Sequence, residues 1–436
     1  MNNITFDDIL ELIQNGCNVF ITGGAGTGKS YTLNKLKEIY KDELHITSTT
    51  GISAINVNGQ TIHSWAGIGI ANKPIDEIVK SIKQKPNLYM TLLCCKMLAI
   101  DEISMLDSRA FEYVSEVLKR IRKLDKPFGG IQVIVIGDFY QLPPVKTSGN
   151  EKDFCFKSKT WTDLDLIPIV LTEVKRQTEK DLSEALNNIR LGKTNPHDIE
   201  LFYKCNVKSD YALPKDVLQI FGTNIEADTY NIKCYNEIQN KPYTYESKDE
   251  LFIYKEKSKD LINVINLKDT TEQTLNKYDL IALKRFDEDC KAPKILSLKA
   301  GCRVILLQNL NVKKGLANGS CGTVLELTND YIKITFDNGV TTNIEPTEFE
   351  YIKEGLTKIR RTQYPLRLAY GITIHRSQGM TFDKLIVNFN RIFDYGQAYV
   401  ALSRTRTAEG LIIKDFNPQK IIANKEVIEF YEEISQ

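Results

Sequence analysis

The run Gly23-Gly24-Ala25-Gly26-Thr27-Gly28-Lys29-Ser30 fits GxxxxGK[ST] and stands between an apolar run, Val19 to Thr22, and an amphipathic one, Ser30 to Tyr40. Strand, glycine-rich loop and helix in that order form the context in which this pattern cradles phosphate. Gly24, Ala25, Gly26, Thr27 and Gly28 would wrap backbone N–H groups around the phosphates, helped by the dipole of the helix that follows. Lys29 would reach the β- and γ-phosphates of ATP, and the Ser30 hydroxyl would ligate Mg²⁺.

Such a site needs an acid at the end of a second buried strand. About 70 residues downstream, MLAI is followed by Asp101 and Glu102. Asp101 would hold the Mg²⁺ shell and Glu102 would orient and deprotonate the attacking water. The next apolar run, IQVIVIG, ends in Asp138-Phe139-Tyr140-Gln141. Gln141 is a candidate sensor of the γ-phosphate, and Leu142-Pro143-Pro144-Val145 makes a stiff, non-helical rim beside it. Phosphoryl transfer also requires positive charge opposite the loop. Arg176 and Arg404 are the candidates, against the alternative that each is an ordinary surface ion-pair arginine.

The elements that must hold these residues can be read from periodicity. Val19 to Thr22, Leu44 to Ser48, Met97 to Ile100, Ile131 to Ile136 and Ile169 to Leu171 read as buried strands, with Pro168 at the start of the last. Ser108 to Leu124 reads as a helix with Phe111, Val114, Leu118 and Ile121 on one face, stopped by Pro127, Gly129 and Gly130. Strands alternating with helices imply an α/β fold with a parallel sheet covered on both faces. Residues from about 200 to 300 are more charged and give no clear pattern. From Cys302 to Glu350, RVILL, GTVLEL, YIKITF and TTNIE are short strands separated by NGS, TND and DNG turns, a small antiparallel barrel or meander. The α/β pattern then returns with Leu385 to Phe389 and Leu411 to Ile413.

The chain has 436 residues, enough for two or three domains, with 57 basic against 56 acidic side chains. A net charge of +1 excludes a histone-like binder but not a narrow basic groove. Nine cysteines without a CxxC pair, no secretory signal and no apolar run long enough for a bilayer point to reduced thiols in a cytosol-like compartment, without membrane contact. Four widely spaced histidines make no metal-ligand pattern.

In order, GGAGTGKS, TSTTGISAINVNGQTIHSWAGIG, AIDEISMLD, GDFYQLPPV, LTEVKRQ, AYGITIHRSQGMTFDKLIV and YVALSRTR resemble the motifs of the petite-integration-frequency (PIF) DNA helicases of helicase superfamily one. The resemblance covers nearly the whole chain. It implies two RecA-like parallel-sheet P-loop domains, the first at 1–180 with a strand-separating wedge at about 52–75 near His63 and Trp65. The second would comprise 181–300 and 361–436, with a small β-barrel inserted at 301–360. It implies ATP bound between the two domains and 5′-to-3′ movement on single-stranded DNA. It strengthens Gln141 as the γ-phosphate sensor, assigns Arg176 and Arg404 to hydrolysis, and adds Gln378 and Gly379 to the nucleotide site. The family's adenine-reading Gln in the N-terminal helix has no secure counterpart: ITFDDILELIQNG places Asp7 and Asp8 near that position and Gln14 too late in the helix.

A motor must hold the sugar-phosphate backbone without reading bases. Thr49, Thr50 and Gly51, then Thr61, His63 and Pro143, are expected to do so in the first domain; Thr223, Asn224, Thr373, His375 and Arg376 in the second. The expected partners are single-stranded and tailed duplex DNA, with G-quadruplex DNA as a further candidate, and the expected state is a monomer in the cytoplasm (at the nucleoid of a bacterium or the viral or host equivalent), or in the nucleus or mitochondrion of a eukaryote. Two other readings stay open at this stage: a translocase that does not open duplexes, and a slow P-loop switch acting as a binding module.

Overall fold

The computed structural model describes all residues except 1–3, 51–52, 55–56, 58, 70, 72, 145–152, 175, 178, 208–212, 255–260, 268–279, 281–282, 285, 288–289, 312–313, 317, 354–356 and 436. The chain divides into two compact units: 1–176 with 190–192 and 422–436, and 177–189 with 193–421.

The first unit is built on six parallel strands: β1 Val19–Gly23, β2 Leu44–Ser48, β3 Gln60–Thr61, β4 Met97–Asp101, β5 Gln132–Gly137 and β6 Ile167–Leu171. Their order is β3-β2-β4-β5-β1-β6. β1, β4 and β5 are apolar nearly end to end because both faces are covered. Pro168 is accommodated because β6 is an edge strand and pairs on one side only. On one face the helices Ser108–Arg122 and Lys425–Glu433 bury Phe111, Val114, Leu118, Phe430 and Tyr431. On the other face α1 Phe6–Gln14 and α2 Lys29–Tyr40 bury Ile9, Ile13, Leu33 and Leu36.

Two departures from the sequence reading fall here. Residues 422–436 were assigned to the second domain, yet Val427, Phe430 and Tyr431 fill the core of the first. Trp65, placed in the wedge, is 1 % exposed and packs in the same core, its indole N–H donated to His45 Nδ1 at 3.2 Å. Several residues of the expected wedge, among them Ile52, Ile55 and Asn58, lie outside the described residues.

The second unit has its own five-stranded parallel sheet, in the order Gly371–Thr373, Gln219–Phe221, Leu385–Asn388, Leu411–Lys414, Asn206–Val207. The four runs read as a barrel form one antiparallel sheet, Arg303–Leu306, Cys321–Leu327, Ile332–Phe336 and Thr341–Ile344. It is completed by Leu366–Leu368, beyond the expected boundary at 360. The residues between leave it: Thr347–Lys353 and Thr357–Gln363 pair in a second antiparallel sheet with Lys248–Tyr254 and Leu261–Asn266 from the charged region. Arg361, 1 % exposed, binds Asp249 through Nε at 2.9 Å and through a terminal nitrogen at 2.6 Å. Pairing of this kind is what allows charge inside a sheet.

Candidate nucleotide site and candidate nucleic-acid surface

The loop from Gly23 to Lys29 joins β1 to α2. Gly26 and Gly28 adopt φ of +81° and +99°, a region where a side chain is strained, so the turn depends on glycine at both. Thr27 braces it, donating its hydroxyl to Gly24 O at 2.9 Å. Lys29 Nζ folds back onto the carbonyl oxygens of Gly23 and Gly24 at 2.6 and 2.8 Å. Burial pulls the Lys29 pKa down, the Asp138 and Glu102 carboxylates oppose this, and Arg190 and Arg176 add to it. Those five side chains are therefore close enough to feel one another's charge. Ser30 is exposed at the helix start.

Asp101 closes β4, paired with Ser48 of β2, and its Oδ1 accepts the Glu102 N–H at 2.9 Å. Burial drives the Asp101 carboxyl upward and the Glu102 carboxylate drives it further, against the Glu102 N–H and Lys29. A buried acid without enough nearby positive charge is an incomplete site, and a hydroxyl with a carboxylate suits a hard cation. Among the described residues no three His, Cys, Asp or Glu gather into a metal cage. Mg²⁺ held by one carboxylate, one hydroxyl and substrate phosphates fits this donor set. Glu102 itself sits at φ +53°, ψ +43°, unusual for a non-glycine residue. Its carbonyl accepts the Thr49 hydroxyl at 2.9 Å.

Gln141 is buried and its amide nitrogen lies 3.5 Å from Asp138 Oδ2. The pattern of types and spacing did not single out what surrounds Asp138. Arg190 donates to it from Nε at 3.0 Å and from a terminal nitrogen at 2.9 Å. The Tyr431 hydroxyl donates to it at 3.4 Å and shares a 2.6 Å hydrogen bond with Thr22 of β1. Tyr140 and Tyr431 stack at 4.7 Å, with Arg190 4.6 Å from the Tyr140 ring centroid. Arg190 and Tyr431 are 52 and 293 residues from Asp138 in sequence, so no local motif could have revealed them.

Of the expected backbone-contact residues in this unit, Thr49 binds Glu102 as above and Thr50 Oγ1 lies 2.5 Å from Ser53 Oγ. Thr61 caps the turn Ile62–Trp65, and His63 and Pro143 are half-buried. Gly51 lies outside the described residues.

In the second unit Thr223 and Thr373 each cap a helix, accepting the Glu226 and Arg376 N–H groups at 3.3 Å. The strands before them, Gln219–Phe221 and Gly371–Thr373, are paired in parallel, so both caps stand at one edge of the sheet. Asn224 is exposed, and burial lowers the His375 pKa against the pull of Asp394. Arg376 lies 3.8 Å from Asp228. Arg404 is buried, donating to Val400 O at 2.7 Å, Ser403 Oγ at 2.8 Å and Met380 O at 3.4 Å. It thereby anchors the segment that begins with Gln378 and Gly379.

Comparison with known proteins agrees with this layout. The profile of the PIF1-like helicase family matches residues 3–199, and that of the Pif1 DNA helicase 2B domain matches residues 283–327. The ATP-dependent DNA helicase PIF1 of Xenopus laevis is 34% identical over 436 residues, covering 98% of this chain; the chain spans 64% of that protein's length. The ATP-dependent DNA helicase Pif1 of Bdellovibrio bacteriovorus is 33% identical over 97% of this chain and 90% of that one. The crystal structure of a Bacteroides Pif1 helicase in complex with ADP-AlF3 and ssDNA is similar at a TM-score of 0.64 and 30% identity, covering 100% of this chain and 98% of that one.

Proposed function

The chain belongs to the PIF1-like helicase family, and we propose that it is an ATP-driven helicase that moves 5′ to 3′ on single-stranded DNA and separates duplex ahead of it. The observation that carries the proposal is the gathering of Lys29, Asp101, Glu102 and Arg176 around one glycine-rich loop, with Gln141 in the turn that follows β5. That set supplies each part that phosphoryl transfer requires.

In this reading the backbone amides from Gly24 to Gly28 and Lys29 bind the phosphates. Ser30 and Asp101 would hold Mg²⁺, which when bound would neutralise charge developing on the phosphates. Glu102 takes a proton from the attacking water. Gln141, tethered to Asp138, senses the γ-phosphate, and Arg176 and Arg404 serve hydrolysis, with Gln378 and Gly379 completing nucleotide binding. Thr49, Thr50, Gly51, Thr61, His63 and Pro143 in one unit, and Thr223, Asn224, Thr373, His375 and Arg376 in the other, grip the DNA backbone. Helix N-termini and capping hydroxyls are groups that take phosphate without reading bases. The substrates are single-stranded and tailed duplex DNA; action on G-quadruplex DNA and a monomeric state extend the same reading.

The test is ATP turnover with and without single-stranded DNA. Wild type should be strongly stimulated, Lys29→Ala inactive, and Glu102→Gln slowed by roughly 10²–10⁴ while still binding nucleotide. Wild-type turnover indifferent to DNA, or near-normal turnover of Lys29→Ala, would overturn the proposal.

A further inference from the structure

Two loops meet at the C-terminal edge of the second unit's parallel sheet, those after Gln219–Phe221 and Leu385–Asn388, and Phe393 stands where they touch. Gly222 follows the strand Gln219–Phe221, and a Cβ at that glycine would lie 3.0 Å from the Phe393 ring and 3.0 Å from Arg391 O. One edge of the ring therefore rests on glycine backbone, while 68% of the residue is exposed. The chain around it is firmly held. Phe389, Ile392 and Gln397 are buried, and Gln397 Oε1 accepts the N–H groups of Phe393 at 3.0 Å and Asp394 at 3.4 Å.

A single exposed apolar side chain is ordinary on a protein surface. A phenylalanine presented outward by a backbone that a buried glutamine fixes, beside the cap Thr223 and the 79% exposed Ile225, is a built feature. One cation stands close by: the Arg391 guanidinium lies 5.8 Å from the Phe221 ring centroid and pairs with Glu226, the residue that Thr223 caps. An aromatic ring beside one hydroxyl, that of Thr223, which donates to Glu226 Oε2 at 3.1 Å, and one arginine, Arg391, is chemistry that can receive a nucleobase with its phosphate. Every base offers a π-face, so such a contact suits a track of any sequence.

We propose that Phe393 is a stacking platform for one base of single-stranded DNA, with Thr223 and Asn224 taking the adjacent phosphates. The proposal rests on the helicase reading above and names a contact within it. The test uses the full chain, fluorescence anisotropy, an unstructured oligothymidylate, and the same strand made wholly of abasic nucleotides. Phe393→Ala should bind the oligothymidylate roughly tenfold more weakly, the loss of about one stacked base, and should bind the abasic strand as wild type does. Phe393→Trp should bind like wild type, with indole fluorescence quenched on base-bearing DNA; the native Trp65 and Trp161 are buried. Undiminished binding by Phe393→Ala, an equal loss on the abasic strand, or no quenching in Phe393→Trp would overturn the platform and leave the helicase reading standing. Failure of wild type to bind either strand would overturn that reading, and the platform with it.

Discussion

Thr49 donates its hydroxyl to the backbone carbonyl of Glu102 across 2.9 Å, joining a residue proposed to touch DNA to the residue proposed to activate water. Ser48 extends the tie, its hydroxyl 3.2 Å from Asp101 O and 2.7 Å from Ser53 Oγ. The bond ties the backbone of Glu102, which sits at positive φ, to a residue of the proposed DNA face. Thr49→Val keeps the shape and removes the donor, worth about 1 kcal/mol or about fivefold. Turnover without DNA should stay near wild type, stimulation by single-stranded DNA should fall by about that factor, and Thr49→Ser should restore it. Stimulation unchanged in Thr49→Val would show that the tie carries no signal.

Asp138 is fully buried and Arg190 nearly so, which makes their pair costly to break from one side. Arg190→Ala leaves a buried carboxylate unmatched and should lower stability by about 3–5 kcal/mol in urea unfolding. Asp138→Asn with Arg190→Leu should cost clearly less than the sum of the single changes. Tyr431→Phe, which deletes one partner of the network, should cost about 1 kcal/mol. Strict additivity would show that the pair is not coupled.

How much of this was legible depends on whether the signal was local. The phosphate loop and Asp101-Glu102 could be read because residue type, spacing and flanking strands occur together. Five strands of the first sheet could be read, β1, β4 and β5 because both their faces are covered and they are continuously apolar; β3, the two polar residues Gln60–Thr61, could not. The strand Lys248–Tyr254 stayed hidden because the partner that neutralises Asp249 is Arg361, 112 residues away. The C-terminal helix misled for the same reason: nothing around Tyr431 in sequence tells which sheet its apolar face meets. Trp65 stands in QTIHSWAGIGI, a run that mixes polar and apolar residues, and only the fold shows that its ring is core.

The bond between Trp65 and His45 predicts a pH dependence. His45 Nδ1 can accept the indole N–H only while unprotonated. Burial holds the His45 pKa below the ordinary 6.5, against the pull of Asp42. The unfolded chain takes up a proton near 6.5 and the folded chain only lower, so the contribution is fully present above 6.5 and is lost as pH falls. Between about pH 7 and 5.5 the wild-type melting temperature should drop more steeply than that of His45→Gln. Equal slopes would remove His45 as the cause.

Arg404 carries both a structural and a proposed catalytic task. Arg404→Ala should lose DNA-stimulated turnover while retaining ATP and DNA binding. It should also melt earlier, since the carbonyl oxygens of Val400 and Met380 lose a charged donor worth roughly 1.5–3 kcal/mol. Arg404→Lys should recover little of either, because an ammonium cannot reproduce the planar fork. Full turnover in Arg404→Ala would confine the residue to structure.

The central claim is directional strand separation driven by ATP, and strand displacement on matched substrates tests it most directly. Purified protein is mixed with ATP, Mg²⁺ and one duplex bearing either a 5′ or a 3′ single-stranded tail, with Glu102→Gln as the control. The account predicts ATP-dependent release of the strand from the 5′-tailed duplex, little from the 3′-tailed one, and none from either with Glu102→Gln. Release from the 3′-tailed duplex alone, or DNA-stimulated ATP turnover that frees no strand from either, would contradict it.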